Sequence, residues 1–140
     1  MIAARVEREF DFQYVAEDVV LRGQIDLWFE EGDELVVVDF KTEREDPATE
    51  DARNASHSLQ LRLYALALEH YVGRLPDRAY LHYLRADRVA PVALTPDDLT
   101  AAIRDILSFR QAQERLEFPL REGTQCLRCP FYQGRCPAGR

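Results

Sequence analysis

Three charged residues, Asp26, Asp39 and Lys41, interrupt two apolar runs in residues 23–42, GQIDLWFEEGDELVVVDFKT. Strand interiors exclude unpaired charge, because burying it costs on the order of several kcal/mol. The Gly32-Asp33 turn separates the runs, and Gly in the first loop position suits a type II′ hairpin. In that register Asp26 faces Asp39 and Gln24 faces Lys41. Alternation with period two puts all four on one face. Directly opposed carboxylates repel each other, so a positive group belongs between them. Hard divalent cations take carboxylate oxygens. Lys41, one pleat further on, is placed to touch a group bound to such a cation. It is also the only lysine of the chain; the other 17 basic residues are arginine. An ammonium is a compact charge whose pKa can move, whereas the guanidinium is a permanently charged fork. The bland alternative is an edge-strand ion pair of Asp39 and Lys41 beside a solvated Asp26.

Other groups can join this site. Gln60 and Tyr64 stand one helical turn apart on a mostly apolar helix. Buried polar groups are normally hydrogen-bonded, so the pair is expected to face the sheet surface that carries Lys41. His57 begins the same helix and can approach the site. Glu9 can approach Asp26 if the first turn centres on Glu17-Asp18. His70 and His82 read as structural or exposed. The tail holds Cys126, Cys129 and Cys136 with spacing C-x2-C-x6-C. Thiolates so grouped suit zinc or an iron–sulfur cluster, but a closed site needs four ligands. Three reduced, unligated thiols are the plain alternative.

The elements that position these residues follow from periodicity. Residues 4–15 alternate as a first strand. Residues 19–30 form a second, with Val19, Leu21, Ile25, Leu27 and Phe29 inward, and 35–42 a third, completing an antiparallel meander. Residues 43–57 are polar, carry Pro47, and read as a loop or flap. A helix apolar on most sides, hence buried, runs from about Ser56 to Tyr71. Residues 79–85 suit an inner strand and 89–94 a short one. Thr95-Pro96-Asp97-Asp98 starts a second helix with a cap, a first-turn proline and two acids. That helix runs to about Leu116. The two helices are expected on opposite faces of the sheet, in an α/β or α+β arrangement. A core at 1–116 is then followed by an irregular tail at 117–140.

Composition bounds the class. A chain of 140 residues, 46% hydrophobic and 31% charged, suits one globular domain. No run reaches the ~20 apolar residues of a membrane span, and the first ten residues have no signal-peptide core. A cytoplasmic location is the expectation. Three cysteines, an odd number, argue against a disulfide framework. The net charge of −7 is unevenly spread: residues 1–55 carry 6 basic and 16 acidic groups, while 104–140 carry 7 arginines and 4 acids. Tight DNA binding therefore calls for a partner or another domain.

The ordered set G-x-I-D, V-V-D-F-K-T and Q-L-x-L-Y-A-L-A-L resembles the nuclease domain of RecB-like exonucleases, in the PD-(D/E)xK superfamily. The likeness is strongest to the C-terminal nuclease domain of AddA-type helicase–nucleases and covers about residues 5–137. It implies a restriction-endonuclease-like core, a mixed sheet flanked by helices, and a DNA exonuclease working at double-strand breaks during repair and recombination. By the resemblance, Asp26, Asp39 and the Phe40 carbonyl would hold Mg²⁺ or Mn²⁺. Lys41 would position or activate water and stabilise charge on the phosphate; Gln60 and Tyr64 would orient the site or contact DNA. The implied partners are DNA and a helicase domain or subunit. The cysteine triad is similar to that of relatives holding a [4Fe–4S] cluster, whose fourth cysteine lies upstream of the core. Relatives also carry a metal-binding His in a helical segment before the first strand, and no residue before Asp26 matches it. The alternative implied is an inactive nuclease-like module that binds DNA or a helicase. A zinc-binding interaction module built on the tail is a third reading.

Overall fold

The computed structural model describes residues 5–44 and 50–138. Five strands, β1 (Arg5–Ala16), β2 (Val19–Glu31), β3 (Glu34–Lys41), β4 (Arg78–Tyr83) and β5 (Arg88–Pro91), lie side by side in chain order. Neighbours are antiparallel except β3 and β4, which run parallel. A parallel pair needs a crossover connection, and helix α1 (Glu50–Val72) provides it. Helix α2 (Pro96–Arg115) and a 3-10 turn at Thr124–Arg128 follow. This is the expected α+β sheet opening with an antiparallel meander. Helix α1 starts six residues earlier than the polarity of residues 43–57 suggests. Ala52 and Ala55 are strong helix formers, and polarity alone does not end a helix. Pro47 lies outside the described residues.

The β2–β3 hairpin has the predicted register, with Glu31 opposite Glu34 and Leu27 opposite Val38. Gly32 has φ +61, as the turn requires. One feature of the sheet departs from simple alternation. The β1–β2 ladder keeps a single register, Arg8 opposite Leu27 and Phe10 opposite Ile25, but the pair between them, Glu9 and Asp26, is not bonded in it. Glu9 has φ +50, a region that few non-glycine residues enter. The buried faces change phase there. In β2 the buried side chains are Ile25 and Trp28, three apart, while Leu27 and Phe29 are only half-buried. Leu27 and Phe29 are thus corrected to the other face. Gln24 is corrected too: it is exposed and donates to Asp11 Oδ1 at 3.0 Å rather than sharing a face with Lys41.

The core lies on one face of the sheet. Ile25, Trp28, Leu35, Val37, Leu81 and Tyr83 meet Leu61, Tyr64 and Leu68 of α1. The helices do not sit on opposite faces. Arg62 of α1 reaches Asp98 of α2 at 3.3 Å, and Leu99 and Ala102 are buried. Helices separated by a sheet could not touch, so α2 packs beside α1. The amphipathic stripe of α2 therefore packs mainly against α1, with a smaller contact to β2.

The start of α2 is a full capping box. Thr95 Oγ1 accepts from the Asp98 N–H at 3.2 Å, and Asp98 Oδ2 accepts from the Thr95 N–H at 3.2 Å. Thr95→Ala is expected to lower unfolding stability by ~1 kcal/mol. Urea denaturation should show a lower midpoint with an unchanged slope.

Candidate active site

The site forms where β3 ends beneath α1. Asp39 is 3% exposed, the one charged residue buried among those described. Lys41 Nζ lies 2.6 Å from its Oδ2, with 13% of the Lys41 side chain exposed. Asp26 does not complete a backbone pair with Asp39. Its Oδ2 accepts from the Phe40 N–H at 2.8 Å, so the side chain replaces a ladder bond. From Lys41 the network passes to the helix. Lys41 Nζ donates to Gln60 Oε1 at 2.8 Å, and Gln60 Nε2 donates to the Tyr64 hydroxyl at 2.7 Å. These two bonds settle which way the Gln60 amide points. The i, i+4 spacing of Gln60 and Tyr64 is what lets one amide bridge both.

Electrostatics follow from burial. Burial raises the Asp39 carboxyl above its ordinary value; Lys41 opposes the shift and nearby Asp26 adds to it. Burial also raises the Tyr64 phenol, with Asp39 adding to the effect. Tyr64 is therefore a neutral hydroxyl at physiological pH. Two carboxylates close together in a partly dry place bind protons or cations more readily than they tolerate each other.

The donor set fits a hard divalent cation. Asp39 Oδ2 is buried and receives no hydrogen bond of good geometry, the Lys41 contact being an ion pair at 2.6 Å. A buried carboxylate oxygen with a free lone pair beside a second carboxylate suits Mg²⁺ or Mn²⁺.

Two further residues stand at the rim. His57 Nε2 donates to Glu43 Oε1 at 2.9 Å, and His57 Nδ1 is buried without a hydrogen-bond partner. Burial lowers the His57 pKa, with Lys41 adding to it, so the ring is neutral near pH 7. Sequence reasoning named His57 but missed Glu43. The signal was spacing, since Glu43 follows Asp39 and Lys41 at the same interval of two, just past the end of β3. Glu9 is exposed and has no hydrogen bond or ion pair to Asp26 in the ladder it flanks. His82 lies 3.8 Å from Asp87 and its ring meets the Phe40 ring at 5.7 Å, beside Asp39 and Lys41 in sequence but without a side-chain hydrogen bond or ion pair to either, while His70 meets the Tyr14 ring.

Cys126, Cys129 and Cys136 are free, Cys129 exposed and the others half-buried. Among the described residues no group of three or more His, Cys, Asp or Glu could hold a metal. The three thiols are thus not gathered as a cluster needs, and the iron–sulfur and zinc readings of the tail find no support.

A family model of the PD-(D/E)XK nuclease superfamily matches residues 2–137. The chain belongs to that superfamily. Its curated relatives include an ATP-dependent helicase/nuclease subunit of Syntrophomonas wolfei, 33% identical over 76 residues, covering 54% of this chain and 6% of the relative. The protein of the same name from Clostridium novyi is 31% identical over 75 residues, covering 54% of this chain and 6% of the relative. That from Listeria welshimeri is 24% identical over 106 residues, covering 63% and 9%. The chain therefore spans less than a tenth of the length of these relatives. The crystal structure of SSO0001 superposes with a TM-score of 0.59 at 20% identity, covering 90% of this chain and 58% of that one. This likeness shows the fold alone. The PD-(D/E)XK assignment agrees with a nuclease domain built on a mixed sheet. No helix among the described residues is long and apolar enough to cross a membrane.

Proposed function

We propose that this chain is a Mg²⁺- or Mn²⁺-dependent deoxyribonuclease domain that acts at DNA ends in double-strand-break repair and recombination. In this reading it works in the cytoplasm, and its partner is a helicase domain or subunit, the one point that the names of its relatives support. The observation that carries the proposal is the continuous set Asp26, Asp39, Lys41, Gln60 and Tyr64, joined by contacts of 2.6 to 2.8 Å from Asp39 to the helix.

In this reading Asp26, Asp39 and the Phe40 carbonyl hold the cation. The cation, when bound, lowers the pKa of water and neutralises charge developing on the phosphate. Lys41 orients the attacking water and places a positive charge beside the phosphate oxygens. Gln60 fixes the Lys41 ammonium by accepting a hydrogen bond from it, and Tyr64 fixes Gln60. Asp39 holds the ammonium from the other side, so its position is over-determined before substrate arrives. Preorganised charge of this kind needs no rearrangement as the reaction proceeds.

Lys41→Arg is expected to lower turnover by about 10²–10³-fold although the charge is kept, because the wide planar fork cannot take the place of a compact ammonium. Cleavage of linear single- and double-stranded DNA with Mg²⁺ or Mn²⁺, against circular DNA as control, tests the function. Cleavage unchanged in Asp39→Ala or Lys41→Ala would sink the assigned roles. Binding of DNA without cleavage by the native chain would favour an inactive DNA-binding module.

A further inference from the structure

The strand that carries Lys41 is only half held at its end. Lys41 is the last residue of β3, and the pairing of β3 with β2 stops at Val38, opposite Leu27. Past that point the Asp26 side chain bonds the Phe40 N–H on one side. On the other, β4 pairs with β3 as far as Tyr83 and Lys41. A strand end with one full neighbour frays readily, yet the 2.8 Å bond from Lys41 Nζ to Gln60 needs that end kept against α1. Two contacts keep it there. His57, one turn before Gln60, donates from Nε2 to Glu43 Oε1 at 2.9 Å, which ties the chain two residues past Lys41 to the helix. Beside it the Tyr83 hydroxyl donates to Asn54 Oδ1 at 2.7 Å, tying the end of β4 to the same helix.

We propose that His57 is a positioning residue of the candidate site: through Glu43 it holds the end of β3 against α1 and so fixes the Lys41 ammonium. The proposal rests on the nuclease reading above and adds to it a pair outside the set from Asp26 to Tyr64. The ring acts from inside the fold. Its side chain is only 11% exposed, and its Nδ1 is buried with no hydrogen-bond partner. Water does not reach that nitrogen, so the ring is no base for the reaction; what it offers the site is the Nε2–H. Leaving a buried acceptor unpaired costs stability, and the fold bears that cost at this position. Neutrality accounts for the residue type. Burial and the nearby Lys41 and Arg53 cations lower the His57 pKa against the pull of Glu43, so the ring donates uncharged at pH 7. An arginine would donate as well, but its permanent charge would stand beside the ammonium that has to be held.

Lys41 is the only lysine of the chain, so metal-free protein labelled with lysine carrying 13C at Cε gives one NMR signal. Its relaxation reads how firmly the side chain is held, whether or not the chain cuts DNA. Glu43→Ala and His57→Phe are each expected to loosen Lys41. In DNA cleavage with Mg²⁺ each is expected to lower kcat by about 10- to 100-fold, as for a misplacement of ~1 Å. KM is expected to stay near the native value, because the loss falls on the transition state. The double variant is expected to lose no more than either single one, since the two residues act as a unit. His57→Gln, whose amide can donate to Glu43, is expected to keep Lys41 rigid and to keep most of the rate. His57→Arg is expected to fall with His57→Phe. The Glu43 side chain is 43% exposed, so Glu43→Ala is expected to fold even if His57→Phe does not. A Lys41 signal as rigid in folded Glu43→Ala as in the native chain overturns the proposal. So does a His57→Gln variant that loses as much as His57→Phe. A native chain that cuts no DNA, but whose Lys41 loosens in Glu43→Ala, refutes the nuclease reading and supports the hold on Lys41.

Discussion

Asp39→Asn is expected to abolish metal-dependent cleavage without weakening the fold at neutral pH. The two halves of that result have one cause. Asp39 is held in a buried place, and burial raises its pKa, with Asp26 adding to the shift. A raised folded-state pKa means the folded protein holds that proton more tightly than the unfolded chain. The associated stability is present below the ordinary carboxylate pKa and is lost as pH rises through the higher folded value. At neutral pH the ionised group is therefore a strain on the fold, which the neutral amide relieves. The amide also takes away the anionic oxygen that a cation needs, and the loss of several kcal/mol of charge stabilisation amounts to a fall in rate on the order of 10³-fold or more. Thermal melts read the fold independently of activity. The native chain is expected to melt higher when Mg²⁺ is added, and Asp39→Asn to show no such rise. Without metal, the variant is expected to melt at or above the native temperature and to depend less on pH just above the carboxylate range. A variant that melts lower at every pH, or that keeps its cleavage, contradicts this account.

Trp28→Ala is expected to cost ~3–5 kcal/mol of unfolding stability. Trp28 is 0% exposed and is among the largest of the fully buried side chains. Its ring meets Phe10 edge-on at 5.8 Å, and the Arg5 guanidinium lies 4.7 Å from its centroid. Domains of this size are stable by only ~5–15 kcal/mol, so the loss would consume a large share of the total. Trp28→Phe is expected to cost much less. The indole N–H is buried without a hydrogen-bond partner, so replacing it removes no bond. Denaturant midpoints of the two variants at neutral pH give the comparison. Equal losses would mean that the indole N–H has a partner in solution.

The hairpin shows why some of this site was readable and some was not. Gly32 supplies the positive φ that a short turn needs, and the turn sets the pairing from Leu27–Val38 to Glu31–Glu34. The placement of Asp39 and Lys41 on one face follows from the pleat. The Gln60–Tyr64 spacing then brings both side chains to one side of α1, and the hydrogen bonds to Lys41 agree. Each of these steps depends on residues close in sequence. Extending the same pleat to Gln24 failed, because alternation presumes a strand of uniform twist, and β1 departs from it at Glu9. The change of phase turns Trp28 into the core and Leu27 out of it. It also leaves Asp26 free to bond the Phe40 N–H through its side chain instead of its backbone.

From its order of residues alone, then, this chain specifies the turn, the D-x-K pair, the polar face of α1 and the capping box at Thr95, because each is a matter of local geometry. Packing specifies the rest. Helix α2 lies beside α1 because its stripe is complemented there, a match between surfaces that no spacing in one helix reveals. The Glu43–His57 contact joins the segment after β3 to the helix across 14 positions, and it exists only once both are placed. The dryness of Asp39 has the same origin: the carboxylate is written in the sequence, but its raised pKa comes from the side chains that close over it.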